Sequence, residues 1–244
     1  MEDRALQNLE RASNDRVVKI VDPLTIELQE KGLTRLTALD IPDYNPYEQG
    51  PLAQSAMEIL GDMLIGKEVR IYQTRDRNKG RKNRMGHNLY HLFLNDSESW
   101  VQGVLVRLGL ARVRTDPSNA ELARELFKLE SLARREKLGL WAFEENSILN
   151  PDNAQDHINS FQIVEGRVES AARKQSNLYL NFGKNWRDDF TVAIPSSDIR
   201  QFLKKDISPQ NLNGQTIRVR GWIREYNGAY MELNHPERIE ILQE

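Results

Sequence analysis

Cysteine is missing from all 244 residues, which removes disulfides, zinc–thiolate sites and thiol nucleophiles from consideration. A surplus of charge of one sign is missing as well. With a net charge of −2, the chain has no broad positive field of the kind a dedicated duplex-DNA reader uses, so any nucleic-acid contact must come from a local patch. Long apolar runs are absent too, and with them any transmembrane segment. Residues 1–15 are polar and lack the apolar core of a signal peptide, which leaves export open.

What is present is a globular composition, 39% hydrophobic and 29% charged, in a chain long enough for two domains. After the polar lead, Val17-Val18-Lys19-Ile20-Val21 predicts a strand, Asp22-Pro23 a turn and Thr25-Ile26-Glu27-Leu28 the returning strand. Residues 33–39 predict a third. Gly50 and Pro51 open a helix with Leu52, Ala56, Ile59, Leu60, Met63 and Leu64 on one face, ended by Gly66. Residues 67–72 and 87–94 predict further strands, followed by helices near 100–108 and 120–137. Strands first and helices gathered later describe a small barrel capped by helices.

Two stretches carry candidate chemistry. In residues 34–43, an alternating apolar strand holds Arg35 in its middle and delivers Asp40 and Asp43 on either side of Pro42. An arginine facing such a corner suits a phosphodiester held beside a hard cation; the alternative is an ion pair at a strand end. Residues 75–84 hold six basic residues, Arg75, Arg77, Lys79, Arg81, Lys82 and Arg84, against one acid. This run is either a solvated loop or an electrostatic funnel for a single-stranded polyanion.

The order of parts resembles the staphylococcal nuclease (thermonuclease) family over residues 16–145. The resemblance is carried by Val18-Lys19-Ile20-Val21-Asp22 with Thr25, by Arg35-Leu36 with Asp40 and Pro42, and by Gly66-Lys67-Glu68-Val69. It continues through Leu105-Val106-Arg107-Leu108-Gly109-Leu110-Ala111, Glu130, Ala133-Arg134 and Lys137-Leu138-Gly139-Leu140-Trp141. It implies an oligonucleotide-binding barrel with three helices. It also implies a site where calcium sits on two aspartates and a backbone carbonyl, two arginines hold the phosphate, and a glutamate activates water.

By position, Arg35 matches the first arginine, Asp40 one metal aspartate, Ile41 the carbonyl donor and Asp43 the glutamate. Leu24 replaces the other metal aspartate, and a hydrocarbon cannot ligate a hard cation. His87 takes the place of the second arginine, with Arg81 as a rival alignment. An imidazole lacks the bidentate guanidinium fork. The expectation is a nuclease-shaped barrel with little or no nuclease chemistry, calcium being needed only if the site is functional.

Residues 146–158, rich in Asn, Asp and Ser, predict a linker. Residues 159–244 hold five strand-like segments with a helix near 197–205 between the third and fourth, the layout of a second oligonucleotide-binding barrel. The fold class expected is therefore mainly β with helices (α+β), two five-stranded barrels in sequence. Tyr179, Phe182, Trp186, Trp222, Tyr226 and Tyr230, beside Arg218, Arg220 and Arg224, are either a stacking platform or a mixture of core and ordinary surface. Three functions remain open: a non-catalytic binder of single-stranded DNA, RNA or a protein partner; a calcium-dependent nuclease cutting DNA and RNA; and a scaffold without nucleic-acid contact. Family resemblance and the lack of cysteine suit a bacterial protein exported to the periplasm or beyond.

Overall fold

A computed structural model describes residues 3–183 and 189–242, which divide into two compact units, 1–146 and 147–244. The mainly β architecture with helices is the one expected. In the first unit a short helix α1 (Asp3–Leu6) leads into β1 (Leu9–Asp22), β2 (Thr25–Leu28), β3 (Gly32–Leu36) and β4 (Leu39–Asp40). Helix α2 (Pro51–Leu64), β5 (Glu68–Thr74) and β6 (Asn88–Leu94) follow. Then come α3 (Val101–Arg107), β7 (Arg112–Val113) and α4 (Ala123–Arg135). Strands β1, β2, β3, β6 and β5 close into a barrel, with β3 and β6 parallel and the other pairs antiparallel.

Strand β1 is longer than its apolar pattern announces. Its first half pairs with β5 and its second with β2, and register shifts between Arg11 and Asn14 and again between Val17 and Lys19 let one strand serve both neighbours. The polar lead therefore belongs to the barrel from Leu9 onward. Leu9 is buried, and Asp15 accepts the backbone N–H groups of Arg16, Glu30 and Lys31.

The predicted strand over 33–39 breaks in two. Ala38 has φ 63°, a left-handed conformation that costs an L-residue roughly 1–2 kcal/mol. The break turns Leu39 and Asp40 off the barrel and onto β7, with Leu39 opposite Val113 and Asp40 opposite Arg112. Helix α2 starts at Pro51 as its sequence indicates, and buries Ala53, Ala56, Leu60 and Leu64 in the barrel core beside Ile26, Ile71 and Leu92.

The second unit comprises β8 (Ser160–Arg167), β9 (Ser170–Lys174), β10 (Asn177–Asn181), β11 (Thr191–Pro195), α5 (Ile199–Leu203), β12 (Thr216–Glu225), β13 (Ala229–Glu232) and β14 (Ile239–Ile241). The sheet runs β14-β12-β13-β11-β10-β9, and β8 pairs with β12. β8 and β9 are the two arms of one bent segment, which reaches β12 with one arm and β10 with the other. A parallel pair, β11 with β13, occupies the same place in the pairing order as β3 with β6.

The stretch read as a linker packs onto this unit. Leu149 and Ala154 are buried in its core, Leu149 N–H donates to the Ile163 carbonyl, and a 3-10 helix spans Pro151–His157. Its Asn and Asp residues serve as caps and turns there: the Asn150 side chain accepts from the Asn153 N–H.

Candidate functional site

Arg35 stands on β3 between Thr25 of β2 and Leu89 of β6, with its side chain 31% exposed. One guanidinium nitrogen, Nη1, donates to Thr25 Oγ1 at 2.9 Å and to Asp22 Oδ1 and Oδ2 at 3.2 and 3.4 Å. Asp22 Oδ1 also accepts the Leu24 N–H at 2.8 Å, which closes the Asp22-Pro23-Leu24 turn. The Tyr44 ring lies 5.9 Å from the guanidinium carbon. Burial, followed by the nearby Asp22 charge, raises the Tyr44 phenol above its ordinary range. The Arg35 charge is matched here by a carboxylate of the same barrel.

Asp40 is held still more firmly. Arg112 Nε reaches its Oδ2 at 2.8 Å and Arg114 Nη1 its Oδ1 at 3.2 Å, so each carboxylate oxygen carries a guanidinium. The Arg112 side chain is only 8% exposed. The two arginines alternate about Val113, which places both on one side of β7. Fully buried Glu130 of α4 fixes that strand, accepting the Val113 N–H at 2.7 Å and pairing with Arg134.

The donors present do not fit a calcium ion. Leu24 is 4% exposed and belongs to the barrel core, the Ile41 carbonyl accepts the Tyr44 N–H at 3.1 Å, and both Asp40 oxygens are occupied by cations. Among the described residues no three His, Asp or Glu side chains converge, whereas calcium calls for six or more oxygens.

Asp43, matched by position to a catalytic base, caps a helix. Its Oδ2 accepts the Leu52 N–H at 2.8 Å and its Oδ1 the Ala53 N–H at 3.0 Å, so it satisfies two free donors in the first turn of α2. Gly50 is required beside it, since a Cβ there would collide with the Asp43 carboxylate. Asp43→Ala is expected to lower first-unit stability by about 1–2 kcal/mol, read as a fall in the urea midpoint. An unchanged midpoint would mean that the cap contributes nothing.

His87 lies two residues ahead of Leu89, the β6 neighbour of Arg35. Its backbone N–H is held by Asn83 Oδ1, and its ring Nδ1 is buried without a hydrogen-bond partner. Arg81, the rival candidate, is committed elsewhere. Its Nη2 lies 2.6 Å from Glu10 Oε2 on β1 and its Nε donates to the Asp76 carbonyl, and the Arg81 hydrogen bond lowers the Glu10 pKa.

The basic run is tethered. Asn119 donates to the Gly80 carbonyl at 2.8 Å, Arg75 Nε donates to the Leu9 carbonyl, and Lys82 bridges Asn88. Arg75, Arg77, Lys79, Lys82 and Arg84 remain exposed along it.

In the second unit the aromatic set divides. Phe182 is buried against Phe190 with ring centroids 5.1 Å apart, and Trp186 lies outside the described residues. Arg220 is buried in an ion pair with Glu240, and Arg218 bridges Glu165 and Glu240. These two arginines are structural. Tyr179, Tyr226 and Tyr230 line one concavity.

Sequence reasoning missed Asp22 and Tyr44 as partners of Arg35, and Arg112 and Arg114 as partners of Asp40. The spacing Arg-Val-Arg was the available signal for the second pair. Residues 33–143 match the family described as staphylococcal nuclease homologue, a stretch that runs from within β3 through α4 and includes Arg35, Asp40 and the arginines that hold it. No curated protein matches the chain.

Proposed function

We propose that this chain is a nuclease homologue whose catalytic site has been converted into structural ion pairs, and that it acts as a non-catalytic binder of single-stranded nucleic acid. The observation that carries this reading is the pairing of both Asp40 oxygens with Arg112 and Arg114. A cation seated on Asp40 would have to displace the half-exposed Arg114 guanidinium from Oδ1 or leave the almost wholly buried Arg112 charge unpaired at Oδ2, and either way it would sit beside a fixed positive charge. Leu24 supplies no oxygen in compensation, Arg35 is neutralised by Asp22, and Asp43 is occupied by α2. The family match supports nucleic acid as the partner, and the exposed residues of the basic run supply the local patch that a near-neutral chain requires. The pairing order of β8–β13 supports a second barrel of the oligonucleotide-binding kind, a fold that commonly presents single strands with a sheet face.

Incubation with denatured DNA and RNA in millimolar calcium tests the chemistry. No cleavage above background is expected; cleavage abolished both by a chelator and by Arg35→Ala would overturn the proposal. A labelled single-stranded oligonucleotide titrated at several salt concentrations tests the binding. Replacing Arg77, Lys79, Lys82 and Arg84 together by Ala is expected to weaken binding at least tenfold and to flatten the log–log salt slope by roughly 3 if each residue meets one phosphate. Absence of binding by the unmodified chain at low salt would leave a scaffold role in its place.

A further inference from the structure

The outward face of the second unit's sheet carries a cavity of about 440 Å³, within the roughly 300–1,000 Å³ span of small-ligand sites. Its position follows from strand register. Along β10, Leu178 and Leu180 point into the core while Tyr179 and Asn181 face outward. Tyr179 is flanked by Ala172 on β9 and Ala193 on β11, so a large ring stands between two small neighbours and a hollow opens beside it. One row along, Asn181 pairs with Thr191, Thr191 with Tyr230, and Tyr230 with Arg224. The β12–β13 turn brings Tyr226 over this row, 61% exposed and edge-to-face with Tyr230 at 5.4 Å.

We infer that this hollow is a stacking subsite for an unpaired nucleobase of a single-stranded nucleic acid. The inference deepens the binding role proposed above and rests on it. Three phenol rings from three places in the sequence meet around one concavity, and a base has two π-faces to offer them. Asn181, Thr191 and Asn227 also line the hollow; the Thr191 hydroxyl donates to Asn181 Oδ1 and the Asn181 amide to Ser170, which fixes one polar wall beside the rings for the polar edge of a base. Lys174 lines the hollow from β9, and exposed Arg224 adjoins Tyr230 on β12. The rings thus lie between two cations, which suits a polyanion threaded across the strands better than a proline-rich peptide, whose backbone carries no charge. Glu232, opposite Ala193 on the neighbouring row, directs the phosphates away from its own side and toward Arg224. Burial, then the charges of Glu232 and the neighbouring tyrosines, pushes the Tyr230 phenol up to about 12, so it remains a hydrogen-bond donor throughout the neutral range.

The test uses the full chain and a fluorescein-labelled twelve-residue oligothymidylate, with an abasic strand of equal length and a proline-rich peptide as further probes. Tyr226→Ala and Tyr179→Ala are each expected to weaken oligothymidylate binding about 5- to 150-fold with no change in salt slope. Tyr226→Trp should retain binding. The abasic strand should bind the unmodified chain poorly and be indifferent to the tyrosine changes. Since Tyr226 is mostly exposed, its variant should melt as the unmodified chain does. Unchanged affinity in both Ala variants, alongside loss in the basic-run variant, would overturn the stacking site and leave the binding role standing. Failure of the unmodified chain to bind any oligonucleotide would overturn both, and peptide binding lost in Tyr226→Ala would then assign the hollow to a protein partner.

Discussion

A chain carrying Leu24→Asp and His87→Arg is expected to show no nuclease activity in millimolar calcium, and to lose about 3–5 kcal/mol of first-unit stability. The double change restores the two residue types that the resemblance requires, so activity would be the natural forecast from sequence. Packing predicts otherwise. Leu24 is 4% exposed in the barrel core beside Ile26 and Leu36, and its side chain cannot be exchanged for a carboxylate without burying charge. Asp40 would still be paired with Arg112 at 2.8 Å and Arg114 at 3.2 Å. A third change, Arg114→Ala, removes a guanidinium that is 45% exposed and uncovers Oδ1 at small cost to folding. Calcium titration calorimetry is expected to give heat only once that third change is present. Calcium-dependent cleavage by the double variant alone would show that Arg112 and Arg114 do not keep calcium off Asp40.

The barrel was legible because its apolar residues follow strand and helix periods closely: the face of α2 and the alternation in β2, β3 and β10 need no tertiary information. What stayed hidden is held by pairing rather than by burial. Residues 9–16 contribute Leu9 and Ala12 to the apolar side and little else, so their place in the barrel depends on backbone bonds to β5, which leave no mark on composition. The Asn- and Asp-rich stretch after 146 hides Leu149 and Ala154 among polar turn residues. Ala38 in left-handed conformation defeats expectation from the other side, since alanine has no preference for it.

The site was half legible for the same reason. Arg35, Asp40, Asp43 and His87 could be placed by order along the chain, but what each touches is decided by residues 4 to 74 positions away, such as Asp22 for Arg35 and Arg114 for Asp40. The two-residue β7 is too short to register as a strand in any pattern, yet it and the residue that follows it deliver both arginines to Asp40. The break at Ala38 is what makes that delivery possible, because a strand continuous from 33 to 39 would have kept Asp40 in line with Arg35. The two carboxylates that bracket Pro42 turn to different partners in the fold, Asp40 to Arg112 and Arg114 and Asp43 to the first turn of α2, while Arg35 pairs with Asp22.

Acid is expected to unfold the first unit through His91. This residue, paired with Tyr72 across β5 and β6, is 1% exposed; its Nε2 lies 3.0 Å from Thr37 Oγ1, its Nδ1 is buried without a hydrogen-bond partner, and its ring tilts against Trp100 at 5.6 Å. Burial lowers its pKa from 6.5 to about 3, so the folded chain keeps the ring neutral where the unfolded chain takes up a proton. The stability associated with the neutral ring is complete above pH 6.5 and declines as pH falls toward 3, by about 1.4 kcal/mol per unit and roughly 4–5 kcal/mol in all. His91→Gln retains an amide for Thr37 and removes the titration. Urea midpoints at pH 7, 6, 5 and 4 should therefore converge for the two proteins as pH drops, even if the variant starts lower at pH 7. Half-buried Glu10 and exposed Asp96, whose pKa values are lowered by hydrogen bonds from Arg81 and Lys67, act in the same direction but are common to both proteins and cancel in the comparison. Parallel curves would show that His91 is already protonated in the fold or that the barrel opens locally to accept the proton. Because β6 carries His91 and also flanks Arg35 through Leu89, the first strand weakened by acid would be the one that supports the Arg35–Asp22 pair.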